Sequence, residues 1–357
     1  MTSSEGTSSK FALGPSAAGW ITMIVFGAMS IGVHLFPDVV FTEGDSIHLR
    51  IAAVNEWKMR QRTETLPKVA LFGTSRMMHI PANGFAHAAG LNPEDVINFS
   101  RPSADFFFIN GLVRKNPAFF ENMDAVLIDI LPYQVMVNAN FSEGGPYFHR
   151  LGSFRQKMSM KNYFDRATGL LDPVIPAWSR SQAPPEWLQG FGRISASDDE
   201  ILDALKEYDV TEVKNRARLA DRISGAAKRD SLVNLMTYLY FPETNTSPVQ
   251  IEALRELRDL LPERCKIVLV WMPTSPEAEE LVNRRPRFTD SKKAMETILE
   301  GFDEPDYTQI KFVTPEEFGI DESHFAPDGF HFKPIHNPLI GKLLGELYNE
   351  LQEKWGR

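Results

Sequence analysis

Two short stretches at opposite ends of the chain carry residue types that could do covalent chemistry together. In the first, the apolar run Lys68-Val69-Ala70-Leu71-Phe72 breaks at Gly73, and Thr74-Ser75-Arg76 follow. Such a run reads as a buried strand of a parallel sheet ending in a tight turn. Ligands of open α/β sheets sit outside the carboxyl ends of the strands, so the turn presents Ser75 where chemistry usually happens. A Ser or Thr there could equally cap the next helix. In the second stretch, Pro327-Asp328-Gly329-Phe330-His331-Phe332-Lys333-Pro334 sets an Asp and a His three residues apart. A serine is a weak nucleophile without an adjacent base, and that base needs an orienting group. One Asp-x-x-His loop supplies both. Asp321-Glu322-Ser323-His324 has the same spacing and is a rival. His79, His149 and His336 are further histidines to be weighed. Zinc through His324, His331 and His336 is disfavoured, because spacings of seven and five do not match short metal-binding patterns.

Gly73-Thr74-Ser75 and Asp328-x-x-His331 together resemble the first and last blocks of the SGNH (GDSL-like) hydrolase and acyltransferase superfamily. The Gly-Thr-Ser-Arg form is similar to its divergent, membrane-anchored bacterial members. The lipoteichoic-acid D-alanylation and alginate O-acetylation proteins, which act on cell-surface polymers, are of this kind. The resemblance spans roughly residues 66–135 and 262–350. It favours Asp328 and His331 over Asp321 and His324, since the family's final block lies close to the last helix. It implies Ser75 as nucleophile, His331 as base and Asp328 as orienting group.

In the family's second block a strand ends in Asn, and a glycine five residues later gives its N–H to the oxyanion hole. Asn98 matches that Asn, while Ser103 stands in the glycine's place. Ser103 keeps a backbone N–H but not a glycine's conformational freedom, and it could instead cap the helix that follows. The third block's oxyanion Asn is missing from Leu131-Pro132-Tyr133-Gln134. Either the Tyr133 hydroxyl or the Gln134 amide is a candidate substitute. Losing one such donor costs about 2.7–4 kcal/mol of transition-state stabilisation. Acyl-transferring members of the family also lose this block, so the departure favours transfer over hydrolysis and equally permits an inactive protein. The resemblance thus implies O-acylation, above all O-acetylation, of a cell-surface polysaccharide or polymer. An acyl donor and an integral-membrane O-acyltransferase are the implied partners, and no cofactor or metal is expected. The alternatives are an esterase or deacetylase of the same fold, or a non-catalytic polysaccharide-binding module. Arg76 opposes the macrodipole of any helix it starts. It points either to a substrate carboxylate or phosphate, or to a salt bridge with an acid such as Asp129.

The N-terminus bears on where such a reaction would occur. No Asp, Glu, Lys or Arg lies between Lys10 and Asp38, and Pro15 and Pro37 bracket the 21 residues Ser16–Phe36. As a helix they span about 31 Å, close to a bilayer's hydrocarbon core. A transmembrane signal anchor over 16–37 is expected, with 1–15 a disordered tail and the catalytic domain on the periplasmic side of a bacterial inner membrane. A cleaved signal peptide ending at Ala28-Met29-Ser30 and a buried helix are the alternatives. The net charge of −9 disfavours nucleic acid as a partner. The one cysteine, Cys265, precedes an apolar strand and suits packing better than catalysis.

The elements that must position these residues follow from periodicity. The fold expected, with the resemblance, is α/β: a three-layer αβα flavodoxin-like parallel sheet of about five strands, a helical insertion and the N-terminal transmembrane helix. Strands are predicted at 68–72, 96–99, 124–130, 266–271 and 309–313. Helices are predicted at 47–65, after 76 up to Gly90, 105–113, 247–261, 276–300 and 339–354. The α/β domain comprises 47–139 and 246–357, and 140–245 forms a mostly helical insertion or lid. Trp271 or Met272, at the end of the fourth strand, is placed to touch an acyl group.

Overall fold

The computed structural model describes residues 66–101, 104–136, 226–241, 245–304 and 306–355, with isolated positions between 17 and 62 and at 158. Five strands, β1 (Val69–Phe72), β2 (Val96–Asn98), β3 (Ala125–Asp129), β4 (Lys266–Trp271) and β5 (Thr308–Phe312), form one sheet in the order β2-β1-β3-β4-β5. All pairings are parallel; Val69 faces Val96 on one side and Ala125 on the other. The chain therefore runs outward from β1 in one direction, then returns to continue in the other. That reversal leaves a crevice at the carboxyl end of β1 and β3, the usual ligand position in such sheets.

The strands read as near-continuous apolar runs because both sheet faces are covered. Alternation along each strand sorts side chains into two cores. Val69, Leu71, Leu127, Val268 and Val270 point to one face. There they meet Phe85 of α1 (Ala82–Ala88) and Ile340, Leu344 and Tyr348 of the terminal helix α8 (Asn337–Lys354). Ala70, Phe72, Val126, Ile128 and Leu269 point to the other. That face is covered by α2 (Phe106–Lys115) with the short α3 (Pro117–Phe120), α4 (Ala226–Tyr240), α5 (Pro248–Leu260), α6 (Pro276–Arg284) and α7 (Pro286–Glu300).

Local chemistry explains where several helices begin. Ser247 Oγ accepts from Gln250 N–H at 3.4 Å and Ser275 Oγ from Ala278 N–H at 3.2 Å, each with proline as the first helical residue. Asp105, not Ser103, caps α2, accepting from Phe108 N–H at 2.9 Å. The single helix expected over 276–300 is two. Arg285 is extended (φ −111°, ψ 114°) because a residue preceding proline is pushed out of the helical region, here by Pro286.

Helix α4 falls within the expected insertion 140–245, yet Val233, Tyr240 and Phe241 are buried against the domain core. Apart from residues 158, 241 and 245, the rest of that insertion lies outside the described residues, His149 included. So does most of Ser16–Phe36. Its described positions are helical, with Trp20, Ile21, Met23, Ile24 and Val25 exposed. Among the described residues no helix is long and apolar enough to cross a membrane. Of the helix expected over 47–65, Asn55, Lys58 and Met59 are helical and sit against the end of β2, where Lys58 Nζ donates to Asn98 O at 2.7 Å. Burial, with Arg62 nearby, pulls the Lys58 ammonium down to about 8.

Candidate active site

Ser75 rides on a turn that is bolted to the sheet from beneath. Thr74 Oγ1 donates to Asp129 Oδ2 at 2.8 Å, linking the end of β1 to the end of β3. Arg76 is only 2% exposed. Its guanidinium donates to the carbonyls of Met272 and, at 2.9 Å, Pro273, just past β4, and lies 3.8 Å from Asp129 Oδ1. Of the two roles open to Arg76, this is the salt bridge to Asp129; the guanidinium faces inward. Burial pushes the Asp129 carboxyl above its ordinary value, against the pull of Arg76 and the Thr74 hydrogen bond. The turn is thereby fixed to three strand ends at once.

The second half of the site is a hairpin. Phe325 and Phe332 form an antiparallel bridge, and Ala326 N–H donates to His331 O at 2.7 Å. Inside it, Gly329 N–H donates to Ala326 O at 3.0 Å, closing a turn with Pro327 at its second position. Gly329 has φ +73°, and a Cβ there would stand 2.9 Å from Ser275 Oγ. Glycine is required on both counts. Ser275 N–H in turn donates to Gly329 O at 2.8 Å, docking the hairpin on the start of α6.

These supports bring three side chains into line. Asp328 Oδ1 accepts from the N–H groups of Phe330 and His331, both at 2.9 Å. Asp328 Oδ2 lies 2.6 Å from His331 Nδ1, and His331 Nε2 lies 2.6 Å from Ser75 Oγ. Burial would raise the Asp328 carboxyl; the facing imidazole and the three hydrogen bonds outweigh it and hold the group down at about 2. A charged Asp328 accepts only, so His331 carries its proton on Nδ1 and offers the Nε2 lone pair to the Ser75 hydroxyl. That is the protonation state a general base needs.

A fourth side chain packs beside the site. It is Tyr240, at the end of α4, buried with its ring against Phe330 of the hairpin that carries His331. Burial, then the Asp328 charge, drive this phenol well above its ordinary pKa, so it stays protonated. Its ring stacks on Tyr133 at 6.1 Å and meets Phe330 edge-on at 4.9 Å. Sequence reasoning missed Tyr240 by treating 232–241 only as an apolar run. The available signal was helical spacing: Val233, Thr237 and Tyr240 form one buried stripe, while Leu235 and Tyr238 are exposed.

The remaining candidates have other partners. Asn98 Nδ2 donates to Met77 O and Ile80 O, both at 2.9 Å, and its Oδ1 accepts from Ser100 N–H at 2.8 Å. It braces the segment after Ser75. Tyr133 Oη and Gln134 Nε2 donate to Ala104 O at 3.2 and 2.9 Å. They fasten the loop beside Ser103, which itself lies outside the described residues. Trp271 and Met272 are buried on opposite faces of the sheet, packed into its two cores rather than open to a substrate. Cys265 is buried as well. His324 pairs with Asp321 at 2.9 Å, and its ring lies 4.5 Å from that of His336. Both His331 nitrogens face other partners, Ser75 and Asp328. No protein-family model matches the chain, and no curated protein matches it.

Proposed function

We propose that this chain is a serine-dependent acyl-transfer enzyme of the SGNH kind, built on a flavodoxin-like sheet, with Ser75 as nucleophile, His331 as general base and Asp328 as its orienting group. One observation carries the reading: Ser75 Oγ, His331 Nε2, His331 Nδ1 and Asp328 Oδ2 form an unbroken hydrogen-bonded line with two 2.6 Å contacts. The residues come from loops more than 250 positions apart in sequence, which an incidental helix cap would not require.

On this reading His331 Nε2 takes the Ser75 proton as Oγ adds to an ester or thioester carbonyl. Asp328 stabilises the imidazolium that results. The leaving group departs with that proton, and the acyl group rests on Ser75. An acceptor hydroxyl then gives its proton to His331 as its oxygen takes the acyl group, restoring Ser75. The backbone N–H groups of Ser75 and Ser103 are the expected oxyanion donors. With a polymer hydroxyl as acceptor the chain is an O-acyltransferase, the outcome favoured by the resemblance; with water it is an esterase. The same reading puts the domain in the periplasm, tethered by 16–36 and supplied with acyl groups by an integral-membrane partner. The exposed Trp20, Met23 and Ile24 side chains suit such a tether.

The test is capture of the acyl-enzyme. Wild-type chain and Ser75→Ala are mixed briefly with p-nitrophenyl acetate and quenched in acid, and their peptides are weighed. Acetyl on the peptide holding Ser75, and none in the variant, is expected. Unmodified Ser75 in folded protein, under this donor and longer-chain esters alike, contradicts the proposal.

A further inference from the structure

The turn that carries Ser75 is closed by a side chain as well as by backbone. Thr74 Oγ1 accepts from Arg76 N–H at 3.2 Å and donates to Asp129 Oδ2 at 2.8 Å. One hydroxyl therefore spans the nucleophile, from the residue before it to the peptide after it. We infer that Thr74 is a positioning residue: its hydroxyl, aimed by Asp129, holds the Ser75 N–H and Oγ in the orientation that acylation requires. This rests on the acyl-transfer reading above.

The hydrogen-bond directions follow from the partners. An amide N–H only donates, so the Thr74 oxygen accepts from Arg76, and its own proton is left for the Asp129 carboxyl. Asp129 in turn faces the Arg76 guanidinium at 3.8 Å, and that guanidinium donates to the Met272 and Pro273 carbonyls. The path thus runs from Arg76 N–H through Thr74 and Asp129 back to the side chain of Arg76, with Ser75 inside the loop. Met77 N–H donates to Thr74 O at 3.1 Å and Arg101 N–H to Gly73 O at 2.9 Å, so the flanking backbone is held too. Asp129 can approach this closely because residue 73 is glycine; a Cβ there would stand 2.9 Å from Asp129 Cβ. From Leu71 to Met77 every residue but Ser75 is buried.

The reaction makes two demands on this one residue. As Ser75 Oγ bonds to the carbonyl carbon, its proton goes to His331 Nε2 and the C=O π pair goes to the carbonyl oxygen. Oγ must lie in line with Nε2 while the Ser75 N–H points at the oxygen that gains charge. Both directions are set by the torsions of Ser75 and of the peptides on either side. A side-chain oxygen bonded to the N–H two residues on closes a tight turn and restricts those torsions. A misplacement of about 1 Å at the reacting atoms costs about 10²-fold in rate. A threonine that served only as a brace for the fold would change stability and leave that rate alone.

The experiment is the reaction of the purified full chain with an alkyl fluorophosphonate. Ser75 Oγ bonds to phosphorus, its proton goes to His331, the P–F bond breaks and fluoride leaves. The concentration dependence separates probe affinity (KI) from the rate constant of phosphonylation (kinact). Thr74→Val removes the hydroxyl at nearly constant shape, and Thr74→Ser keeps it. We expect kinact to fall about 10²-fold in Thr74→Val with KI essentially unchanged, and to stay near wild type in Thr74→Ser. Because kinact is a rate constant per reacting site, partial loss of folded protein does not imitate this result. Should Thr74→Val not fold, Thr74→Ala lacks the same hydroxyl and carries the same expectation. Wild-type kinact in the variant without the hydroxyl, with Ser75→Ala inert, overturns the inference and leaves the proposed function standing. Equal losses in Thr74→Val and Thr74→Ser also overturn it, since the hydroxyl is then not what matters. A folded wild type that does not react at all overturns the inference and the acyl-transfer reading together.

Discussion

Asp321-x-x-His324 and Asp328-x-x-His331 have the same spacing, lie on neighbouring loops, and each bring histidine Nδ1 to the aspartate, at 2.9 and 2.6 Å. Both carboxyls are held down at about 2. The causes differ. For Asp321 the Ser323 hydroxyl comes first, followed by His324, and the Asp321 side chain is 73% exposed. For Asp328, 11% exposed, burial works against ionisation and is overcome by the imidazole and by backbone N–H groups. His324 Nδ1 also lies 3.2 Å from Asp321 N–H, so it is offered a donor and an acceptor at once and its tautomer is not fixed. His331 Nδ1 faces the Asp328 carboxylate, and Nε2 has the serine. An Asp-His pair at this spacing is therefore a local property of the loop. Serving as a base is a property of where the loop is docked.

The contrast can be broken most forcefully at the two aspartates. Asp328→Asn should slow acylation of Ser75 by about 10⁴-fold, since an amide no longer dictates the imidazole tautomer. Asp321→Asn should leave the rate at the wild-type value. Burst kinetics with an activated ester measure both, and equal losses would erase the distinction.

The two glycines of these loops sharpen it next. Gly329 and Gly319 both have positive φ, at +73° and +61°. A Cβ on Gly329 would meet Ser275 Oγ at 2.9 Å and Ala278 at 3.1 Å, whereas one on Gly319 meets nothing within 4 Å. Gly329→Ala should destabilise the protein by roughly 2–5 kcal/mol, from backbone strain plus overpacking. Gly319→Ala bears the strain alone, about 1–2 kcal/mol. Urea unfolding of both variants gives the comparison, and a costlier Gly319 variant would contradict the docking argument.

Acid titration supplies the smallest effect. Asp328 has a folded pKa below its ordinary value of 3.8. Its contribution to stability is therefore complete above the unfolded value and is lost as pH falls through about 2. The contribution is on the order of 2 kcal/mol. Asp328→Asn should flatten stability against pH between about 4 and 2 in urea titrations. An unchanged slope would mean that the carboxyl is not held by His331.

Much of the frame was readable because buried parallel strands announce themselves. β4 occupies the residues its apolar run marks, and β1, β3 and β5 lie within a residue or two of theirs. Ser247-Pro248 marked the start of α5 for a physical reason, a capping oxygen followed by a residue with no N–H. The break at Pro286 obeys an equally local rule that the long charged pattern of 276–300 obscured. Side-chain direction was another matter. Nothing local reveals that Arg76 turns inward to Asp129 and the β4 carbonyls, or that Tyr133 and Gln134 choose Ala104 O. Those partners come from strands and loops distant in sequence. Tyr240 was hidden because an apolar run does not show which of its aromatics turns toward a hairpin some ninety residues later.

The most direct measurement sets the two histidines against each other. Wild-type chain, His331→Ala and His324→Ala are each incubated with a fluorophosphonate, and incorporation at Ser75 is followed with time. His324→Ala should label at the wild-type rate while His331→Ala loses labelling by about 10⁶-fold, to background. Labelling that survives His331→Ala and disappears in His324→Ala would contradict it, and would transfer the role of base to the exposed loop.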